Sequence, residues 1–179
     1  MKHKILHVIT RMMMGGAQEI LYSIASNTQQ LYDVKVVYGT EDAGSDIMLK
    51  RFHDAGIETI KCPFLQREVR PFKDLFAVVQ LSRIFSRIAP SVVHLHTYKA
   101  CIVGAIAARL SRIPIILMCA HGNIFEQPSI IPGIPKTKWK IKLLKLATCF
   151  CSGLVTRIIS ISKQDRESQI ASRVTCKCH

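Results

Sequence analysis

Residues 4–10 read Lys4-Ile-Leu-His-Val-Ile-Thr10, and this segment indicates the fold class. It is a short run of β-favouring residues. Gly15 and Gly16 separate it from residues 17–27, whose apolar positions recur at helical spacing. A strand that passes through glycines into a helix is the first unit of a strand–helix alternation. The sequence therefore predicts an α/β protein.

The alternation continues along the whole chain. The predicted strands are residues 4–10, 34–38, 57–62, 91–96, 115–120 and 154–162, and the predicted helices are residues 17–27, 46–55, 72–88, 100–110, 139–151 and 164–171. Several strands are apolar at nearly every position, as strands buried on both faces must be. We predict one doubly wound, Rossmann-like parallel sheet in a single domain of residues 1–171, followed by an irregular tail at 172–179.

Charge is distributed unevenly over the 179 residues, whose formal net charge is +13. Residues 1–74 carry 10 basic and 9 acidic side chains, whereas residues 75–179 carry 15 and 3. This asymmetry indicates an anionic partner for the second half, such as a phosphate ester, an acidic membrane or a nucleic acid. No RNA- or DNA-binding motif accompanies the charge, so we do not expect nucleic acid as a partner.

Neither a secretory signal nor a membrane-spanning segment is recognisable. The apolar run after Met1 and the next three residues is too short for a signal peptide, and no charge-free apolar run reaches the ~18 residues of a spanning helix. The seven cysteines are an odd number, which favours reduced thiols. We expect a cytoplasmic protein whose contact with the inner face of the membrane is peripheral.

Two glycines occupy the first loop at which a ligand is expected, since doubly wound sheets bind ligands at the carboxyl ends of their strands. Gly15 and Gly16 would let the backbone approach a phosphate, whose charge the helix start attracts. A plain tight turn is the alternative. The loop lacks both the G-x-G-x-x-G spacing of dinucleotide sites and a Gly-Lys-Ser/Thr sequence.

Histidines close the fourth and fifth strands. Alternation sends His94 and His96 to one face, and His96 lies with Lys99 at a strand–helix junction. A ligand site and a structural hydrogen-bond network are both compatible with this pair, and a metal site would need a third ligand. His121 and Gly122 follow the fifth strand, where the imidazole could bind a sugar hydroxyl, transfer a proton, or simply bond to backbone. The tail residues Cys176, Cys178 and His179 have metal-binding atoms but no fourth ligand nearby.

The helix predicted at residues 139–151 is basic and amphipathic. Its apolar stripe consists of Trp139, Leu143, Leu146 and Phe150, and another face carries Lys138, Lys142 and Lys145. The stripe could pack on the sheet with the lysines in water. Alternatively, the helix could rest on an anionic leaflet, with the three lysines facing the lipid.

The loops together resemble the N-terminal domain of the retaining GT-B glycosyltransferases of family 4, and are closest to capsule, O-antigen or exopolysaccharide transferases. The residues that carry the resemblance are Ile5-Leu6-His7-Val8-Ile9-Thr10, Gly15-Gly16-Ala17-Gln18-Glu19, His94-Leu95-His96-Thr97-Tyr98-Lys99-Ala100, Ala120-His121-Gly122 and Ile159-Ser160-Ile161-Ser162.

The resemblance implies an acceptor-side domain of an enzyme that moves a sugar from a nucleotide-sugar donor to a lipid-linked or polysaccharide acceptor. It implies that Gly15 and Gly16 approach the donor diphosphate, that His96, Lys99 and Gly122 bind or orient substrate, and that the catalytic His121 lies near the transferred sugar. It implies no nicotinamide or other cofactor and no essential metal.

The family's nucleotide-binding half is missing from this sequence. No two glutamates are eight residues apart, so the Glu-x7-Glu motif is absent, and no second domain follows. We expect a truncated or split product that is inactive alone, because a transition state needs both walls of the cleft. The alternative function is a non-enzymatic, membrane-associated binding or assembly module.

Overall fold

A computed structural model describes residues 2–42, 44–119 and 138–171 of the chain. The strands are β1 (Lys4–Met12), β2 (Asp33–Glu41), β3 (Glu58–Lys61), β4 (Val92–His96), β5 (Ile115–Cys119) and β6 (Arg157–Ile158). The helices are α1 (Gly16–Thr28), α2 (Ser45–Asp54), α3 (Pro71–Ile88), α4 (Tyr98–Leu110), α5 (Lys138–Ser152) and α6 (Lys163–Ala171).

The strands form one parallel sheet in the order β3-β2-β1-β4-β5-β6. Helices cover both faces, because the strands are apolar on both. Leu6 and Leu95 face α3, α4 and α5 in one core, whereas Ile9 and Val36 face α1 and α2 in the other. The doubly wound, Rossmann-like sheet predicted from the sequence is therefore confirmed.

The second strand is longer than predicted, because Gly39 lies inside it instead of ending it. The backbone is so crowded at this position that a Cβ atom would lie 1.7 Å from the carbonyl oxygen of Leu65 and 2.4 Å from that of Thr10. Gly39 therefore lets the ends of β1 and β2 and the turn after β3 meet. The glycine marks a close approach of three backbone segments, which a single strand's sequence does not reveal.

The sixth strand is much shorter than the predicted residues 154–162. The N–H groups of Thr156 and Ile159 donate to β5 at 2.7 and 2.8 Å, and pairing is confined to the residues between them. Ser162 has already left the sheet, since its Oγ accepts the Asp165 N–H and caps α6. An edge strand with one neighbour ends where its residues find other hydrogen-bond partners.

Four cysteines are buried free thiols: Cys62, Cys101, Cys119 and Cys151. Burial raises the pKa of the Cys62, Cys119 and Cys151 thiols to about 11, which keeps them protonated near neutral pH. Cys149 is disulfide-bonded, against the expectation of reduced thiols. Within the described residues, no helix is both long enough and apolar enough to span a membrane.

Candidate functional site

The glycine loop and the end of β4 meet at the centre of the sheet's carboxyl edge. Strands β1 and β4 are neighbours, and Ile9 pairs with His96 in their register. The helices that follow these strands pack on opposite faces, which is the crevice where doubly wound sheets bind ligands. Gly15 lies on one side of the crevice and Lys99 on the other. His121 and Gly122 lie outside the described residues.

Neither Gly15 nor Gly16 has a backbone conformation that requires glycine. Gly15 is in extended backbone that any residue adopts, and a Cβ there would meet the Gln18 side chain at 2.9 Å. A Cβ on Gly16 would have no atom within 4 Å. No side chain caps the start of α1, whose first N–H groups have no acceptor within the helix. This leaves open backbone at a helix start, as the approach of a phosphate requires.

The two strand ends are bridged by a polar contact that sequence reasoning missed. The hydroxyls of Thr10 and Thr97 lie 2.7 Å apart. Thr97 occupies the N-cap position of α4 without a side-chain cap hydrogen bond, and its φ of 71° and ψ of 147° are unfavourable for a β-branched residue. Such strain concentrates at functional sites. The only signal for Thr97 in the sequence is its position between the last residue of β4 and the first residue of α4.

His96 is fully buried in a cluster of three histidines. Its Nε2 lies 3.1 Å from Nδ1 of His7, and the His94 ring lies 4.1 Å from the His96 ring and 5.2 Å from the His7 ring. Burial, and secondarily the charge of His94, lowers the pKa of His7 to about 3. His7 was not predicted as a site residue. Alternation along β1 would have placed it on a face, but only the pairing of β1 with β4 puts it beside His94.

Lys99 is held by Asp74 of α3. Its Nζ forms an ion pair with Asp74 Oδ2, and the Lys99 and Asp74 side chains are 9% and 21% exposed. Burial lowers the pKa of Lys99, while the hydrogen bond and charge of Asp74 oppose that shift. The second oxygen, Asp74 Oδ1, is buried and has no hydrogen-bond partner among the described residues. The ammonium thus joins α3 to α4 beside the crevice.

Two arginines add positive charge at the same edge of the sheet. Arg11, near the end of β1, donates from Nε to Asp42 Oδ2 at 2.5 Å. Burial and the charge of Arg11 lower the pKa of Arg67, and Asp42 opposes this shift. The end of β1 and the loops after β2 and β3 therefore bring these three side chains together. Nothing in the local sequence singles out Arg11 or Arg67.

The described side chains of the apolar stripe of α5 point away from the core, which contradicts the packing alternative; the Trp139 side chain lies outside the described residues. Leu143, Leu146 and Phe150 are exposed, whereas Thr148 and Cys151 are buried. The helix turns its small residues inward because α4 lies close to it, with Cys151 Sγ donating to the Ile102 carbonyl. Lys142 is exposed and Lys145 half-buried; the Lys138 side chain lies outside the described residues.

A second exposed apolar surface lies on α3, where the sequence did not predict one. Its members share one helical face at spacings of three and four residues, and they are Phe72, Leu75, Phe76 and Val79. Phe64 extends the surface, since its ring centroid lies 5.5 Å from that of Phe76. The start of α3 follows the carboxyl end of β3, so this surface adjoins the edge that carries the crevice.

The chain is similar to known proteins in sequence and in fold. An Escherichia coli UDP-Gal:alpha-D-GlcNAc-diphosphoundecaprenol alpha-1,3-galactosyltransferase is 28% identical over 171 residues, which cover 93% of this chain and 40% of that protein. Anabaena Alr3699/HepE, solved with UDP and glucose, has a TM-score of 0.66 at 17% identity, and the match covers 95% of this chain and 41% of that one. A Rickettsia africae ESF-5 glycosyltransferase has a TM-score of 0.69 at 14% identity, and the match covers 97% of this chain and 40% of that one.

The chain thus spans about 40% of the length of these relatives, which corresponds to one lobe of a two-lobed protein. Residues 15–175 match the family described as glycosyl transferase 4-like domain. The chain belongs to this family of glycosyltransferases and corresponds to a single N-terminal GT-B lobe.

Proposed function

We propose that the chain is the acceptor-side lobe of a retaining glycosyltransferase that moves a sugar from a nucleotide-sugar donor to a lipid-linked acceptor. The observation that carries this proposal is the crevice between β1 and β4, where open glycine backbone faces a cationic edge. The name of the Escherichia coli relative, which acts on a diphosphoundecaprenol-linked sugar, supports a lipid diphosphate as the acceptor class.

In the reaction, an acceptor hydroxyl bonds to the sugar's anomeric carbon, the bond from that carbon to the diphosphate breaks, and the proton of the hydroxyl passes to the leaving diphosphate. Gly15 and Gly16 approach the leaving diphosphate through their backbone N–H groups. His96 and Lys99 orient the crevice wall, and Gly122 and the catalytic His121 contact substrate. The second lobe, which binds the nucleotide, must close on this one before the charge is stabilised from both sides.

A division of labour between the lobes predicts which ligand this chain binds alone. Calorimetry should show micromolar or weaker binding of a short-chain prenyl-diphosphate saccharide, and no binding of UDP-galactose at micromolar concentration. Arg67→Gln should weaken acceptor binding by about 10-fold or more, because a hydrogen bond to a charged group is worth about 1.5–3 kcal/mol.

Arg83→Gln is the matched control, since Arg83 is an exposed arginine about three turns from the start of α3 and should not affect binding. Micromolar affinity for UDP-galactose by this chain alone would contradict the division of labour. Equal losses in the two arginine variants would contradict the placement of the acceptor at the crevice.

The exposed apolar stripe of α5 favours a second candidate function, docking on an anionic membrane surface. Leu143, Leu146 and Phe150 lie on a helix whose charged residues are all basic. An amphipathic helix with this composition binds anionic lipid through apolar insertion and charge together. This docking would hold either an enzyme lobe or a non-enzymatic assembly module at the membrane.

Liposome co-sedimentation tests this docking. The chain should bind phosphatidylglycerol vesicles but not phosphatidylcholine vesicles, and binding should fall with salt because the Debye length shortens. Replacement of Lys138, Lys142 and Lys145 by glutamate should abolish binding. The same charge change at Lys50, Arg83 and Lys163 is the control. Equal binding by the α5 variant and the control would reject the lysine face as the docking surface.

A further inference from the structure

Three buried imidazoles meet on the α1–α2 side of the sheet, at the seam between β1 and β4. One nitrogen from each of His7, His94 and His96 lies within 4.8 Å of the other two. All three side chains are at most 5% exposed. Within the part of the chain that the structure describes, this is the one group of three or more histidine, cysteine or acidic residues with such geometry.

The sheet itself builds this arrangement. His94 and His96 are two residues apart on β4, so both project to one face. His7 of β1 pairs directly with His94 in the parallel register, and it reaches His96 diagonally. Because β1 and β4 are the central strands, the positions of all three residues are fixed by backbone hydrogen bonding on both sides.

Hydrogen bonding does not satisfy every nitrogen of the cluster. The His7 Nδ1 to His96 Nε2 contact of 3.1 Å uses one nitrogen of His7. The other, His7 Nε2, is buried and has no hydrogen-bond partner among the described residues. A buried polar atom without a hydrogen-bond partner destabilises a protein. Hydrogen bonding therefore does not explain why a histidine occupies position 7 in the core.

We propose that His7, His94 and His96 bind one divalent transition-metal ion, with Zn²⁺ the ion that suits them. Three histidines are an established zinc ligand set, in which a water takes the fourth position. Zinc–nitrogen bonds of about 2.0–2.1 Å place tetrahedral ligand nitrogens about 3.4 Å apart. One nitrogen from each of the three histidines lies within 4.8 Å of the other two, so a closure of no more than about 1.4 Å brings them to this spacing.

The site is structural and independent of the proposed sugar transfer. A bound ion would cross-link β1 and β4 three residues or fewer from Thr10 and Thr97, and so fix the walls of the crevice. The sequence places only two candidate ligands, His94 and His96, on one strand, and a metal site needs a third. The pairing of β1 with β4 supplies that ligand in His7.

Metal substitution on the untagged 179-residue chain tests the site. After chelator treatment, one equivalent of Co²⁺ should bind and give the visible absorption of a four-coordinate ion, and Zn²⁺ should displace it. At a free concentration 100-fold above its Kd, Zn²⁺ should raise Tm by about 5 °C or more. His94→Asn should weaken Co²⁺ affinity by more than the ~10–100-fold loss typical of outer-shell partners.

Two controls separate this site from other ligands. His53→Asn changes an exposed histidine of α2 and should leave Co²⁺ binding unaffected. Replacement of Cys176 and Cys178 by serine removes the cysteines of the tail and should also leave the band intact. The proposal is overturned if the wild-type chain shows no four-coordinate band, or if the band disappears in the variant without the tail cysteines. Should His94→Asn not fold, the wild-type band and the Zn²⁺-induced Tm shift in the tail variant decide the question.

Discussion

Gly39→Ala is expected to destabilise the chain by more than about 3 kcal/mol, beyond the usual range for overpacking a core. The added Cβ would lie 1.7 Å from the Leu65 carbonyl oxygen and 2.4 Å from that of Thr10, so backbone rather than a side chain must move. Relief would separate β1 from β2 or displace the turn after β3. Urea unfolding followed by circular dichroism measures the loss as a fall in the midpoint.

Gly16→Ala serves as the matched control, because a Cβ at that position meets no atom within 4 Å. Alanine favours a helix over glycine by up to about 1 kcal/mol, so this variant should be as stable as the natural chain or slightly more so. A midpoint for Gly39→Ala within the error of the Gly16→Ala midpoint would disprove the crowding at Gly39.

Lys99→Met is the second substitution with a large expected effect, a loss of about 3–5 kcal/mol. Removal of the ammonium leaves the Asp74 carboxylate largely buried, with one oxygen already lacking a hydrogen-bond partner among the described residues. The cost comes from the remaining charge, since a buried ion pair itself contributes little net stability. Unfolding in urea at neutral pH measures this loss.

The double variant Lys99→Met with Asp74→Leu tests that reason. Replacement of both partners by apolar residues should recover most of the stability, and the coupling energy of the double-mutant cycle should be large. Arg70→Met provides the comparison with an exposed pair, because Arg70 and Glu68 are both more than half exposed. It should cost no more than about 1 kcal/mol. Equal effects of Lys99→Met and Arg70→Met would show that Lys99 is not a buried anchor.

Much of the fold follows from local sequence, because strand and helix periodicities are set within a few residues. The strands from Lys4 and Val92 and the helix that ends at Ile88 lie close to their predicted bounds. The prediction failed for β6, where residues 154–162 have β-favouring composition but only two of them pair. The composition of residues 154–162 favours extended backbone, whereas their hydrogen bonding into the sheet depends on how much of β5 lies beside them.

The candidate site was predictable as a set of loops but not as a set of contacts. Gly15, His96 and Lys99 were identified because parallel strands place their carboxyl ends at one edge. The residues that contact His96 and Lys99 come from other parts of the chain: His7 lies beside His96, and Asp74 lies beside Lys99. In the same way, Arg67 lies near Arg11. No local pattern links such residues.

Local sequence is enough to predict a doubly wound α/β lobe with a glycine loop at its ligand-binding edge, because alternation and periodicity are properties of neighbouring residues. The order of the strands, and with it the meeting of β1 with β4, depends on contacts between distant parts of the chain and is known from the tertiary structure alone. That order sets which side chains face each other across a seam, and so it produces the three-histidine cluster. The packing of helices on the sheet and on one another produces the Lys99–Asp74 pair and the outward direction of Leu143 and Phe150.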